Sequence, residues 1–142
     1  MKKSLRSISF LLVFVMLLSS VSMAATPEID HTRENAYILS KTGSIVATGS
    51  GYMTIQFTVT GTGVMNMIGA SHISLYKSNG TLVKSYDYWN YSSMMGYNDF
   101  VHYGSVSYHG VSGQSYYAVI TFYAKNSSGS GSRIYTTATV TV

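Results

Sequence analysis

The feature that most constrains the fold of this chain is the strict alternation of apolar and polar residues from Tyr52 to Thr60. Side chains of a β-strand project alternately to its two faces, so this segment turns one apolar face towards a core and one threonine-rich face towards water. It therefore predicts a half-buried antiparallel strand. The apolar positions are Met53, Ile55, Phe57 and Val59, and the polar positions are Thr54, Gln56, Thr58 and Thr60.

Further short alternating segments follow at intervals of about 8 to 12 residues, separated by Gly, Ser and Asn, and no segment has a helical period. Gly49–Gly51 and Gly61–Gly63 predict chain reversals on either side of the first strand. Ser78–Gly80 predicts a tight hairpin turn, because Asn-Gly readily adopts positive φ angles. Residues 116–124 predict a central strand that is apolar on both faces. Other strands are predicted over 44–48, 73–77, 81–86, 103–108 and 134–142, the last with Ile134, Ala138, Val140 and Val142 on one side, together with a turn over 111–113 and a Ser/Gly loop over 126–132.

The composition agrees with this pattern, since 13 Tyr, 13 Gly, one Pro and no Cys suit a chain of strands and turns. Seven or eight short strands with hairpin connections predict an all-β fold. An antiparallel immunoglobulin-like β-sandwich is favoured over a closed barrel, although strand spacing alone does not separate the two.

The N-terminal 24 residues have the three parts of an export signal. A positive region contains Lys2, Lys3 and Arg6, an apolar run extends from Ile8 to Leu18, and Ser22–Ala24 offers small residues for cleavage. The apolar run is shorter than the roughly 20 residues of a membrane-spanning helix. We therefore expect a cleaved signal peptide, a secreted or cell-envelope location and no stable membrane insertion.

The segment after the signal, about 118 residues of the 142, is long enough for one domain. Residues 25–36 contain the only proline and few apolar side chains, so they predict a flexible leader before a single domain over 37–142. Beyond residue 24 the chain has six Lys or Arg against five Asp or Glu. A net charge near +1 does not generate the field that nucleic acid requires, and nucleic acid is not expected as a partner.

Two resemblances add to this picture. Residues 43–142 resemble the small exported β-sandwich proteins of Gram-positive bacteria, through the lysine-led signal, the entry at Gly49, Leu75–Lys77 and Gly113–Tyr117. The resemblance implies an extracellular location and a β-sandwich fold but no enzymatic reaction, because that group has no characterised function. A shorter pattern, Ala124-x-Asn126-x-x-Gly129 after a strand that contains Tyr116, is similar to the end of the penultimate strand in fibronectin type III domains.

The sequence contains few residues in patterns that could support catalysis. Beyond the leader the carboxylates are Asp87 and Asp99, and we expect both to be solvated loop residues. No Gly-x-Ser-x-Gly nucleophile elbow occurs in the sequence. The members of a Ser–His–Asp arrangement need only meet in space, so the sequence leaves that possibility open. We expect no enzyme and no cofactor.

The histidines also lack the spacing of a metal site. His102 and His109 are seven residues apart, which places them on opposite faces of one uninterrupted strand, and His72 lies far from both in sequence. We therefore expect structural or surface histidines and no metal ligands.

The segment from Tyr86 to Tyr108 is rich in aromatic residues and contains eight of the chain's 19 Phe, Trp and Tyr. Aromatic rings can pack on the apolar faces of sugars while amides and carboxylates bond the hydroxyls. For Trp89 itself a core position is favoured, because sandwich domains commonly bury their tryptophan, and Met94–Gly96 is expected to pack. The candidate binding residues are Asp87, Tyr88, Trp89, Asn90, Tyr91 and Asn98.

The sequence thus predicts a secreted, non-enzymatic protein that acts by binding, with a glycan or the cell wall as the partner. Two alternatives come from other classes. Low charge and Thr/Tyr-rich strand edges suit an extracellular structural protein whose copies pair strand to strand. A small secreted antagonist of competing cells needs no catalytic site either. Oligomeric state is not fixed by the sequence.

Overall fold

A computed structural model describes residues 35–142, so the predicted signal peptide over 1–24 and most of the leader over 25–36 lie outside the described residues. Within 35–142 the fold is all-β, as predicted, with seven antiparallel strands in one sheet and no α-helix. No helix in this range has the length and hydrophobicity to cross a bilayer. The strands are β1 (Ile38–Gly49), β2 (Tyr52–Lys77), β3 (Leu82–Asp87), β4 (Met95–His109), β5 (Ser115–Asn126), β6 (Gly129–Thr136) and β7 (Val140–Thr141), and a 3-10 turn spans Ser92–Met94.

The sheet is organised around β2, which is 26 residues long and pairs along both of its edges. Its first half lies between β1 and β4, with Ile45 opposite Ile55 and Ile55 opposite Val106. Its second half lies between β3 and β5, with Ile73 opposite both Tyr86 and Ile120. Since β6 and β7 pair with β5, the strands form one sheet that curls into a half-barrel.

The chain reversal predicted at Gly61–Gly63 is wrong, because β2 continues through these residues. The pairing of β2 with β4 is irregular between Thr60 and Met65, so the glycines serve a bend within the strand. A Cβ on Gly61 would lie 2.7 Å from the Gly63 carbonyl oxygen and 2.9 Å from Met65 Cγ. The close approach at this bend therefore requires glycine and explains the pattern that the sequence presents as a turn.

The other turn predictions over glycine are confirmed. Gly49 and Gly51 have φ angles of 96° and 82°, and the turn between them connects β1 to β2. In the β2–β3 hairpin, Gly80 has φ 88° and its N–H donates to the Lys77 carbonyl at 2.9 Å. Gly113, in the turn before β5, has φ 84°. Each position uses the left-handed backbone region that glycine populates without steric cost.

The C-terminal prediction needs three corrections. The expected loop over 126–132 is only the two residues between β5 and β6, and the expected strand over 134–142 divides into β6 and β7. Thr137 causes the division, because this buried residue donates its N–H to the Ala118 carbonyl and accepts the Ala118 N–H on Oγ1. The shared apolar side is wrong as well, since Ile134 is 67% exposed while Val142 is buried.

The core lies against the inner face of the curled sheet and contains the predicted apolar positions. Met53, Ile55, Phe57 and Val59 of β2 are all at most 3% exposed. On β5 the alternate residues from Tyr116 to Ala124 are buried and those of the other face are half-buried, as predicted. The Phe57 and Phe122 rings meet edge to face at 5.8 Å, so β2 and β5 share one core. Each such side chain contributes about 1.5–3 kcal/mol through burial.

The first described residues are attached to this sheet by hydrogen bonds. Asn35 Oδ1 accepts the N–H groups of Tyr37 and Ile38 at 2.9 and 3.2 Å, and Asn35 Nδ2 donates to the Ser132 carbonyl. The Thr62 hydroxyl donates to the Ala36 carbonyl at 2.8 Å. The chain entering β1 is therefore fixed across β2 and β6 from residue 35 onwards.

Candidate functional site

The aromatic concentration predicted from the sequence includes a tight turn after β3, here called the aromatic turn (Asp87–Tyr91). The Asp87 carbonyl accepts the N–H groups of Asn90 and Tyr91 at 3.0 and 3.1 Å, which closes the turn. The Tyr88 N–H donates to the Ser71 carbonyl at 3.3 Å, which ties the turn to β2. Trp89 lies between these anchors, at the tip of the turn.

The favoured core position of Trp89 is wrong, because its side chain is 68% exposed. Tyr86, one residue inside the end of β3, fills the core and is 2% exposed. Tyr91 packs edge-on against the Tyr86 ring at 5.0 Å, and Tyr88 meets the Trp89 ring edge-on at 5.3 Å. The tyrosines therefore form the inner layer of this region and leave the indole in solvent.

Tyr86 is the anchor of that inner layer. Its hydroxyl donates to the Ser107 carbonyl of β4 at 3.0 Å. Burial raises the pKa of Tyr86 from 10.0 to about 12, and charge repulsion from Tyr91 and Tyr108 adds to the shift. The phenol stays protonated and holds β3 against β4.

Asp87 is not the solvated loop residue that the sequence predicts. Its Oδ1 lies 2.6 Å from His72 Nδ1, and His72 Nε2 lies 2.9 Å from Ser74 Oγ. The side chains of His72 and Asp87 are 39% and 28% exposed, and Ser74 is buried. We call these three residues the His72 cluster; it joins β2 to β3 on the face opposite the core.

The His72 cluster has the bonding order of a Ser–His–Asp triad, but the backbone N–H groups of its own strand are engaged in strand pairing. An oxyanion hole needs N–H groups free to bind developing negative charge. Residues 72–76 of β2 are paired with β3 on one edge and with β5 on the other, so their N–H groups serve the sheet. This geometry supports a link between strands.

Asn98 and Asp99 lie apart from the aromatic turn, on β4. Asn98 is exposed with φ 52°, and no hydrogen bond or ring contact within 35–142 connects it to the turn. Asp99 Oδ1 accepts the N–H groups of Phe100 and Val101, so this exposed carboxylate caps a local bend. The structure therefore brings five of the six predicted binding residues together and separates Asn98 from them.

The histidines each have a different partner. His102 Nε2 donates to the Ser93 carbonyl at 2.9 Å, and His109 stacks on Tyr52 with ring centroids 4.0 Å apart. Among the described residues no three His, Cys, Asp or Glu side chains gather to hold a metal ion. Met94 and Met95 nearby are buried, as the packing interpretation predicts.

The sequence does not predict a concave surface that the structure forms on the sheet. We call it the polar groove; it has a volume of about 550 Å³ and lies across β1, β2 and β4. The strand register aligns its side chains in rows, with Thr42 opposite Thr58 and Thr58 opposite Tyr103. The alternation of β2 predicted which of its residues face outward, whereas its neighbours depend on pairings between distant segments. The groove is lined by Thr42, Gly43, Ser44, Gln56, Phe57, Thr58, Ser93, His102, Tyr103, Gly104 and Ser105.

Comparisons of the chain with protein-family models, with curated proteins and with solved structures each find no match. The likeness to small exported β-sandwich proteins and to fibronectin type III domains therefore stays a prediction. Function has to be inferred from the aromatic turn, the His72 cluster and the polar groove.

Proposed function

We propose that this protein is a secreted, non-enzymatic binding protein with an immunoglobulin-like β-sandwich fold, and that its partner is a cell-wall or other extracellular glycan. The observation that carries the proposal is the exposure of the Trp89 side chain, 68%, on a turn that is otherwise tightly anchored. A large apolar ring held in water on a fixed support is characteristic of an interaction site.

The surroundings of Trp89 suit a sugar. Its flat indole face offers the apolar surface that packs on a pyranose ring, while Tyr88 contacts it edge-on and limits its movement. Asn90 is exposed beside it and provides both a donor and an acceptor for ligand hydroxyls. The turn therefore combines one stacking surface with one adaptable polar group.

Asp87 and Tyr91 support this surface from below. The Asp87 carboxylate is held by His72 and its carbonyl closes the turn, so the position of Trp89 is fixed by β2 and β3. Tyr91 packs on the buried Tyr86 ring. Preorganisation of this kind lowers the entropy lost when a ligand is bound.

Trp89 fluorescence is the direct test, because this is the only tryptophan in the chain. We expect a red-shifted emission that is readily quenched in the free protein, and a blue shift with protection from quencher on titration with purified peptidoglycan or cell-wall polysaccharide. Trp89→Ala should abolish retention on the same polymer. Tyr97→Ala is the matched control, since Tyr97 is an aromatic residue of similar exposure, 61%, on β4. Retention of folded Trp89→Ala equal to that of the control would refute the proposal.

Strand-to-strand assembly is a second candidate, favoured by one observation on β1. This strand is 12 residues long, is hydrogen-bonded only to β2 among the strands of residues 35–142, and exposes Leu39 and Val46 by 66% and 40%. Long edge strands with apolar side chains are templates for pairing with other chains. Sedimentation should then show oligomers that grow with concentration and are lost in Val46→Lys. A monomer at high concentration would eliminate this candidate.

A further inference from the structure

We propose that the polar groove across β1, β2 and β4 is a second carbohydrate subsite, specific for an uncharged oligosaccharide chain that crosses the three strands. The inference rests on the proposed glycan-binding function and extends it to a surface that no motif in the sequence indicates. It assigns the ligand class, neutral and polyhydroxylated, that the aromatic turn alone does not define.

The geometry of the groove comes from two parallel rows of polar side chains. One row contains Thr42, Thr58 and Tyr103, and the other contains Ser44, Gln56 and Ser105. Neighbouring strands lie about 4.8 Å apart, so each row presents three side chains over roughly 10 Å. A volume of about 550 Å³ falls within the range of small-molecule pockets, roughly 300–1,000 Å³.

These six side chains are free to bond a ligand. Within residues 35–142 none of them takes part in a hydrogen bond with another protein group. Polar side chains of the His72 cluster, in contrast, bond to one another. Six hydroxyl, phenol and amide groups without a protein partner on one concave surface can exchange their hydrogen bonds with water for hydrogen bonds with a polar ligand.

The chemistry of the lining selects an uncharged partner. Among the described residues no Asp, Glu, Lys or Arg lines the groove, and the one histidine of its lining, His102, already donates to the Ser93 carbonyl. Hydroxyl and carboxamide groups both donate and accept, which matches the mixed character of sugar hydroxyls, whereas an ionic ligand would lose its hydration without gaining an opposite charge. Tyr103 is 71% exposed and supplies the ring on which a sugar can stack.

The floor of the groove gives these groups a fixed spacing. Phe57 lies opposite Gly43 on one side and Gly104 on the other, so a row of glycine, phenylalanine and glycine separates the two polar rows. A Cβ on Gly43 would lie 2.6 Å from Ile120 Cδ1, and one on Gly104 would lie 2.6 Å from the Ser93 carbonyl oxygen. The floor is therefore closely packed, against the core at Gly43 and against the 3-10 turn at Gly104, and leaves the rows little room to shift.

Calorimetric titration with chitohexaose, a neutral oligosaccharide, tests the inference on the full mature chain. Tyr103→Ala should weaken binding at least tenfold, and Thr58→Val should weaken it about fivefold through loss of one hydrogen bond. Thr54→Val is the matched control. Thr54 lies four residues before Thr58 on the same face of β2, but outside the groove. Polygalacturonate fragments of equal length should bind at least tenfold more weakly than chitohexaose.

The variants separate the two proposals. Loss of chitohexaose binding in Tyr103→Ala and Thr58→Val but not in Trp89→Ala supports the groove, and the peptidoglycan titration then decides the aromatic turn. The reverse pattern overturns the groove and supports the aromatic turn. Loss in both sets supports both sites. Equal effects of Thr58→Val and Thr54→Val, or equal binding of the anionic fragments, would overturn the assignment of a neutral-glycan subsite. No binding of chitohexaose by the wild-type protein would overturn the groove, while the peptidoglycan titration would still decide the aromatic turn.

Discussion

The two halves of β2 both turn polar side chains away from the core, yet they use them differently. In the first half, Gln56 and Thr58 lie in the polar groove without a protein partner among the described residues. In the second half, His72 and Ser74 bond to each other and His72 also bonds to Asp87. The first half of β2 therefore carries polar side chains without a described protein partner (the unpaired half), and the second half carries polar side chains that hydrogen-bond to one another (the paired half).

This difference follows from the strands beside each half. The second half is flanked by β3 and β5, and β3 provides Asp87 opposite His72. The first half is flanked by β1 and β4, which contribute no Asp, Glu, Lys or Arg to the described lining of the groove. Paired polar groups on a sheet stabilise strand pairing, whereas unpaired ones in a concavity favour recognition. The comparison can be tested through stability, because the two halves should respond differently to substitution.

The largest expected effect is at the floor of the groove. Gly104→Ala places a Cβ about 2.2 Å from Phe57 Cζ and 2.6 Å from the Ser93 carbonyl oxygen, so the segment before β4 must shift. We expect a loss of about 3 kcal/mol in the free energy of unfolding, measured by urea denaturation. Gly63→Ala is the control, because its Cβ meets no described atom within 4 Å. Equal stabilities of the two variants would show that the floor is not rigid.

The paired half should show the next largest effect. Asp87→Ala leaves His72 Nδ1 without its carboxylate partner, and we expect a loss of about 1.5 kcal/mol because the bond is charge-assisted but its two side chains are 39% and 28% exposed. A double-mutant cycle with His72→Gln measures the coupling directly. Additive effects of the two substitutions would mean that the His72 cluster does not stabilise the β2–β3 pairing.

Tyr86 connects β3, beside the paired half, to β4, beside the unpaired half, and should give a pH signature. The unfolded state releases the phenolic proton near pH 10, while the folded state retains it up to a pKa of about 12. Stability should therefore be unaffected by this group below pH 10 and should fall as the pH rises from 10 to 12. Tyr86→Phe should cost about 1 kcal/mol at neutral pH and flatten this part of the curve. A curve unchanged by Tyr86→Phe would contradict the assignment.

The smallest expected effect is in the unpaired half. Thr58→Val removes a hydroxyl that has no protein partner within 35–142, so the unfolding free energy should change by less than about 0.5 kcal/mol. Ser74→Ala is the contrast in the paired half and should cost about 1 kcal/mol, because it removes the bond to His72. If Thr58→Val destabilised the fold as much as Ser74→Ala, the distinction between the two faces would be lost.

The sequence was most informative where a local pattern sets the structure. The alternation from Tyr52 to Thr60 predicted the buried face of β2, and Asn79-Gly80 predicted the β2–β3 hairpin. It was misleading at Gly61–Gly63, where the glycines that resemble a turn allow a close approach inside a bent strand. Glycine-rich segments of similar composition serve both purposes, and only the contacts made within the folded strand distinguish the bend from a turn.

Trp89 shows why the candidate site was harder to predict than the fold. The sequence placed a tryptophan among tyrosines, and burial is the ordinary outcome for such a residue. Its exposure depends on the turn that Asp87 closes and on Tyr86 occupying the core, with Tyr91 packed against the Tyr86 ring. Which of several aromatic residues occupies a limited core volume is a property of packing.

By itself the sequence determined the all-β character, the inward face of the central strands and the positions of the glycine turns with positive φ, because these follow from side-chain alternation and local backbone sterics. Tertiary structure alone decided the 26-residue length of β2, the meeting of His72 with Asp87, and the register that aligns Thr42, Thr58 and Tyr103. These features depend on pairings between segments far apart in the chain. The energy of such a pairing is summed over a whole strand, so no short sequence pattern predicts it.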